Sequence, residues 1–213
     1  MRWPAVVLVA AAFVDLACGG PSVPRSPEPA AAAPGSPTTV STTTTMADPG
    51  TLPQTHALPS QADPAFALRI GDLWQAIVTG DVSMARPAFF PESAYLQTKS
   101  GTNNAADWRD RLLSMYQLDI GAAHALLGPD GPGAEFVGVS VPTARAVWVT
   151  PGQEENKGPY YRVYGTRLTY WLGGRTRSFG IYSMISWRGQ WYVVHLGPNP
   201  RPVGRGMIYQ PSG

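Results

Sequence analysis

The chain has 213 residues, a formal net charge of +2 and a single cysteine. Its Lys and Arg residues are scattered, which argues against nucleic-acid binding, because that function needs clustered cations to neutralise phosphates. One cysteine allows no intramolecular disulfide, so the folded part of the chain must be held together by its apolar core alone.

Residues 1–18 have the layout of a secretory signal peptide, with a basic start and an apolar run from Ala5 to Val14. That run is too short to span a bilayer whose hydrocarbon core is about 30 Å thick. Leu16-Ala17-Cys18-Gly19 resembles the end of a bacterial lipoprotein signal, in which the cysteine carries the lipid. Asp15 departs from that pattern and leaves simple secretion or an uncleaved anchor as the alternatives. We therefore predict an exported protein, held on the extracytoplasmic side of the cell membrane if Cys18 is lipidated and otherwise secreted or in the cell wall.

Residues 19–62 are predicted to form a disordered linker. Proline recurs from Pro21 to Pro59, a threonine cluster lies between, and large apolar side chains are almost missing. Such a segment cannot bury enough apolar surface to offset the entropy of ordering. It also resembles O-glycosylated segments of exported actinobacterial proteins, with a bare flexible linker as the alternative. We place the folded domain at 63–200 and a C-terminal tail at 201–213.

The first part of the domain is predicted to be helical. Asp63 is a typical N-cap, Pro64 suits the first turn, and apolar residues recur at helical spacing until Gly80. Trp108, Leu112, Met115 and Tyr116 repeat that spacing and predict a second helix, which continues through 120–127.

The second part of the domain is predicted to be β-structure. Glu135–Thr150 has a strand pattern in which Pro142 allows only an edge position or a break. Tyr160–Gly197 contains three strands separated by tight turns at Gly173-Gly174 and Arg188-Gly189. Helices followed by antiparallel strands predict an α+β domain whose helices cover one face of the sheet.

Three features of the chain carry a resemblance to a known fold. They are the order of elements from Asp63 to Gly197, the helix stripe ending in Trp74 to Gly80, and the final strand with Trp191-Tyr192-Val193-Val194. The chain resembles the cone-shaped fold of nuclear transport factor two and ketosteroid isomerase, and in particular uncharacterised exported actinobacterial proteins and lipoproteins with such a domain. The resemblance implies a curved sheet with a cavity between it and the helices. It also implies small-ligand binding, occasional catalysis or association through the sheet, between which the fold alone does not choose.

The two tight turns fix an expected register, in which Leu168 lies opposite Phe179, Ile181 opposite Leu196, and Tyr182 opposite His195. The more aliphatic face of this sheet is expected to meet the helices. The other face is rich in aromatic and basic residues, which are enriched where proteins meet partners. We expect a ligand- or partner-binding surface there, and the alternative is a partly exposed face or one covered by the C-terminal tail. The residues of the expected surface are Arg167, Tyr182, His195, Trp191 and Trp171.

Few residues offer chemistry. His195 beside Tyr182 and Arg167 could bind an anion or transfer protons, although a structural histidine fits the pattern better. The three histidines do not have metal-ligand spacing, and no cofactor is expected. A general base inside an apolar cavity is also not expected, since the acids on or near the predicted helices are predicted to face solvent. These acids are Asp72, Asp107, Asp110 and Asp119.

The sequence thus predicts an exported, membrane-tethered accessory protein that binds a small apolar ligand or a cell-envelope partner without catalysis. One alternative is a structural domain that forms a homodimer through its sheet face. Another is a small isomerase, dehydratase or hydrolase that uses His195.

Overall fold

The computed structural model of the protein describes residues 48–211. The signal segment with Cys18, residues 19–47 of the predicted linker and residues 212–213 lie outside the described residues. In the described part, helices come first and an antiparallel sheet follows, which confirms the α+β class. None of the helices among residues 48–211 combines the length and apolar character that crossing a membrane would require.

The first helix, α1, spans Pro64–Thr79 and has the predicted bounds. The carboxylate of Asp63 accepts a hydrogen bond of 2.8 Å from the Ala65 N–H. Gly80 ends the helix at a φ of 76°, a conformation that glycine adopts without steric cost. The apolar stripe is the buried face of α1, formed by Phe66, Ile70, Leu73, Trp74, Ala76 and Ile77.

Further helical segments follow α1. A 3-10 helix covers Val82–Ala88 and α2 spans Glu92–Thr98. The second predicted helix is a contiguous run of α3 at Asn104–Ala106, a π-helix at Asp107–Leu113 and α4 at Ser114–Leu127. π-Helical turns are rare and are frequently found at functional sites.

The sheet contains five strands, which are β1 at Glu135–Ser140, β2 at Val147–Val149, β3 at Tyr160–Leu172, β4 at Arg175–Trp187 and β5 at Gln190–His195. Their order is β1-β3-β4-β5, and β2 is also paired to β3. Every pairing between these strands is antiparallel. Pro142 lies between β1 and β2, so of the two predicted alternatives it marks a break.

The β3–β4 hairpin has the predicted register. Leu168 pairs with Phe179 and Thr166 pairs with Ile181 across the turn at Gly173-Gly174. All four side chains are buried. The two-residue glycine turn fixes this alignment because glycine readily adopts the positive φ that such turns require.

The β4–β5 hairpin departs from the predicted register at a β-bulge. Met184 pairs with Val193, but Ser183 pairs with His195, so Val194 is an extra residue on β5. A bulge of this kind shifts every later pair by one position.

The predicted pairings of Tyr182 with His195 and of Ile181 with Leu196 are therefore wrong. The Tyr182 N–H instead donates to the Leu196 carbonyl at 3.0 Å. The turn at Arg188-Gly189 fixed the alignment only as far as the bulge.

The helices pack on the sheet through aromatic contacts. Trp74 of α1 lies 5.3 Å from Tyr170 and 5.6 Å from Phe136, measured between ring centroids. Between the helices themselves, Phe89, which follows the 3-10 helix, stacks on Tyr116 of α4 at 4.6 Å. Such pairs contribute about 0.5–1.5 kcal/mol each beyond their buried area, which helps a chain without a disulfide to hold its fold.

The end of the predicted linker contacts the domain. The Gln54 side-chain amide donates to the Ser186 carbonyl at 2.9 Å, and the Gln61 amide oxygen accepts from the Val141 N–H at 2.8 Å. Residues 48–62 therefore lie against the sheet instead of apart from it. Gln54 pairs with a backbone group of β4 and Gln61 with the first residue after β1, which the composition of a proline-rich segment does not reveal.

The C-terminal tail is fixed by a buried acid of α4. The side chain of Asp119 is fully buried and forms an ion pair with Arg201. It also accepts hydrogen bonds from the backbone N–H groups of Gly197, at 2.7 Å, and Met207, at 2.9 Å. The prediction that Asp119 faces solvent is therefore wrong. Burial raises the pKa of the Asp119 carboxyl, and the Arg201 guanidinium and the backbone donors offset part of that rise.

Candidate functional site

A pocket of about 640 Å³ lies between the helices and the sheet. α2 and the π-helix line one side of it, and β3, β4 and β5 line the other. Residues 154–156, in the connection between β2 and β3, complete its rim. A pocket of this size is within the range of small-molecule sites, roughly 300–1,000 Å³.

The helix side of the pocket carries a hydrogen-bonded trio. Arg111 donates from Nε and Nη2 to the two carboxylate oxygens of Asp107, at 2.5 and 2.6 Å, and the Tyr95 hydroxyl donates to the same carboxylate. The hydrogen bond from Arg111 holds the pKa of Asp107 below its usual value. Burial, followed by the contact with Asp107, raises the pKa of Tyr95. Asp107 lines the pocket, so the prediction that it faces solvent is wrong.

The sheet side of the pocket carries a second ion pair, between Arg162 of β3 and Glu154. The Tyr160 hydroxyl donates to Glu154 at 3.0 Å, and burial raises the pKa of Tyr160 to about 12. A third ion pair joins Lys99 to Glu155 at 2.9 Å. The Glu155 side chain is 83% exposed, so this third pair lies at the mouth.

His195 enters the pocket because of the bulge in β5. Its Nδ1 lies 2.9 Å from the Ser183 hydroxyl. Its Nε2 is buried and has no hydrogen-bond partner among residues 48–211. Burial, and then the nearby cations Arg111, Arg201 and Lys99, lower the pKa of His195 to about 4. The imidazole is therefore neutral at pH 7.

The C-terminal tail covers two of the other predicted site residues. The Tyr182 ring lies 5.2 Å from the Tyr209 ring, and Arg167 donates to the Pro211 carbonyl at 3.0 Å. The Gly180 N–H donates to the Tyr209 carbonyl at 2.8 Å. For Tyr182 and Arg167, the structure therefore corresponds to the alternative in which the C-terminal tail covers this face of the sheet.

The five predicted site residues do not form one surface. Trp191 is 1% exposed and belongs to the core, whereas Trp171 is 44% exposed near the end of β3. His195 alone lines the large pocket, and Arg167 lines a separate pocket of about 420 Å³. Tyr182 lies between them, with its ring centroid 6.5 Å from that of His195.

The sequence reasoning missed the charged residues of the large pocket. One signal was present, since Asp107 and Arg111 have the spacing of an acid–base pair four residues apart on a helix. Glu154 lies in an irregular connection and its partner Arg162 lies on a strand, so no periodic pattern joins them.

The chemistry available at this site is hydrogen bonding and ion pairing. Among residues 48–211, no three of the His, Cys, Asp and Glu side chains lie close enough to hold a metal ion. The pocket presents donors from guanidinium and hydroxyl groups and acceptors from carboxylates, beside the aliphatic side chains of Leu112, Ile185 and Val194. Comparison with protein-family models, curated proteins and solved structures finds no match to this chain.

Proposed function

We propose that this chain is an exported, membrane-tethered accessory protein whose α+β domain binds a small ligand without catalysis. The pocket between the helices and β3–β5 is the observation that carries the binding role. The apolar run of residues 5–14, followed by Cys18, supports export and lipid attachment. Helices that precede an antiparallel sheet, with a pocket between the two, support the cone-shaped fold of nuclear transport factor two and ketosteroid isomerase.

The ligand is polar, in contrast to the apolar ligand that the sequence suggested. Three ion pairs line the pocket, and an apolar ligand would remove water from the two partly buried ones, Arg111–Asp107 and Arg162–Glu154, without replacing its hydrogen bonds. The buried Nε2 of His195 likewise favours a ligand with a polar group.

Binding fits the acid–base properties of the pocket better than catalysis does. General acid–base catalysis works best when the catalytic pKa is near the operating pH. His195 has a pKa lowered to about 4, which makes it a weak base at neutral pH. The carboxylate of Asp107 already accepts hydrogen bonds from Arg111 and Tyr95.

Native mass spectrometry of the full-length chain, purified from membranes in mild detergent, tests the binding role. We expect a small-molecule adduct that denaturation releases. The variant His195→Gln should lose the adduct, whereas the control His56→Gln, outside the pocket, should retain it. An adduct that persists in His195→Gln, or no adduct together with no ligand that raises Tm in a broad screen, would contradict the proposal.

Intact-mass analysis of the mature protein tests the tether. We expect an N-terminus at Cys18 that carries the mass of a lipid, and we expect Cys18→Ala to move the protein from the membrane fraction to the soluble fraction. An unprocessed chain in the cytosol would overturn the proposal of export.

A further inference from the structure

The charges that line the large pocket are already matched. Each cation contacts one carboxylate, in the pairs Lys99–Glu155, Arg111–Asp107 and Arg162–Glu154. An anionic ligand would have to displace a carboxylate from its cation, and a cationic ligand would have to displace a guanidinium or an ammonium. For Arg111–Asp107 and Arg162–Glu154, either exchange leaves a partly buried charge without its partner, which is costly. The pocket therefore favours a ligand without net charge.

Two residues that line this pocket each have a buried nitrogen atom with unused hydrogen-bonding capacity. Neither Nε of Arg162 nor Nε2 of His195 has a partner among residues 48–211. The guanidinium Nε–H can only donate, whereas a neutral imidazole nitrogen donates or accepts according to its tautomer. The Ser183 hydroxyl at Nδ1 can donate or accept, so it is compatible with either tautomer. A hydroxyl group satisfies both nitrogens because it accepts and donates.

An apolar patch lies beside these polar groups. Ile185 and Val194 line the pocket next to Leu112, and the Tyr164 ring, which also lines the pocket, is 43% exposed. A sugar ring has hydroxyl groups around its edge and C–H groups on its faces. Such a molecule can therefore contact the aliphatic patch while its hydroxyls reach the polar walls.

We propose that the large pocket binds an uncharged polyhydroxylated ring compound, a mono- or disaccharide. The matched ion pairs disfavour charged ligands, and hydroxyl groups match the hydrogen-bonding capacity of the two unpartnered nitrogens. The pocket volume of about 640 Å³ is sufficient for one or two sugar rings. This inference rests on the proposed ligand-binding function and names the class of ligand.

Ligand-observed NMR and calorimetry on the full-length chain test the inference with three probes. These are a neutral sugar (trehalose or maltose), glucuronic acid, which adds a carboxylate to the same ring, and decanoic acid as an apolar competitor. We expect a neutral sugar to bind at least tenfold more tightly than the other two probes. Its affinity should change less than twofold between about 0.05 and about 0.5 M NaCl, because binding forms no new ion pair.

Two variants and a control locate the binding. Arg162→Lys keeps the charge opposite Glu154 but lacks the Nε–H, and His195→Gln replaces the imidazole; each should weaken binding of the neutral sugar at least fivefold. Arg205→Lys, on an exposed residue of the tail, should leave it unchanged. Unfolding curves of each variant verify that the fold is retained.

The outcomes separate this inference from the proposed function. If glucuronic or decanoic acid binds more tightly and His195→Gln abolishes that binding, the sugar inference is wrong and the ligand-binding role stands. If no probe binds but the native adduct is observed and is not a sugar, the inference is equally wrong. If no probe binds and no adduct exists, both fail.

Discussion

Replacing His195 with glutamine should remove part of the pH dependence of the protein's stability. In the folded domain the pKa of the His195 imidazole is lowered to about 4 from the ordinary value of 6.5. Between these two values the unfolded chain binds more protons than the folded domain does. The free energy by which the neutral imidazole of His195 stabilises the folded domain is therefore fully present above pH 6.5. It is lost as the pH falls towards 4.

The size of this effect follows from the two pKa values. At pH 5 the imidazole is almost fully protonated in the unfolded chain and about one-tenth protonated in the folded domain. The resulting loss of unfolding free energy between pH 8 and pH 5 is about 2 kcal/mol. Carboxylates that titrate between pH 8 and pH 5 change the unfolding free energy equally in the wild type and in His195→Gln. Their contribution therefore cancels when the two proteins are compared.

Urea unfolding of the full-length chain, followed by tryptophan fluorescence at pH 8 and pH 5, measures the difference. The wild type should lose about 2 kcal/mol more than His195→Gln over this interval. Ile185→Val is the matched control, because it alters the same pocket without removing a titratable group, and it should cost about 0.5–1.5 kcal/mol at both pH values. If His195→Gln keeps the pH dependence of the wild type, the imidazole is not held neutral by burial and our account of the pocket is wrong.

Three further changes test other parts of the structure. Asp119→Asn leaves the buried Arg201 without its carboxylate and should lower the unfolding free energy, measured in urea, by about 3–5 kcal/mol. Combining Asp119→Asn with Arg201→Met removes the unpaired charge, while the asparagine oxygen still accepts from a backbone N–H, and should recover part of that loss. A cost below about 1 kcal/mol for Asp119→Asn would show that the pair does not hold the tail. Gly180→Ala places a Cβ 2.7 Å from Tyr209 and Pro211 and should displace the tail, seen as faster proteolysis near the C-terminus. Its control, Gly121→Ala, has open space around the new Cβ and should stabilise α4 by up to about 1 kcal/mol. Arg188→Asn should raise the unfolding free energy by about 0.5–1 kcal/mol. Arg188 has a φ of 51° in a two-residue turn, a conformation that asparagine adopts more readily than arginine does. An unchanged Tm would argue against backbone strain at Arg188.

The parts of the fold that the sequence predicts correctly are those with local signals. Gly80 ends α1, and Gly173-Gly174 sets the β3–β4 register, because each position requires a backbone conformation that glycine adopts most easily. The bulge at Val194 has no such signal, since valine is an ordinary strand residue. After the bulge, the predicted register is wrong by one position, and for this reason the prediction paired His195 with Tyr182 instead of Ser183.

The site was less predictable because its residues come from distant segments. Asp119 lies on the buried side of α4, three residues after Tyr116, but its partner Arg201 lies in a tail without periodicity. A sequence pattern reports which side chains face a core, and it does not report which distant side chain neutralises a charge there. Tyr95 and Glu154 were missed for the same reason.

The hydrogen bond between Gln54 and the Ser186 carbonyl joins positions 132 residues apart, and this distance along the chain bears on biosynthesis. Gln54 reaches this partner only after the ribosome has added almost all of the domain. The contact that holds this early segment against β4 therefore forms only when translation is nearly finished.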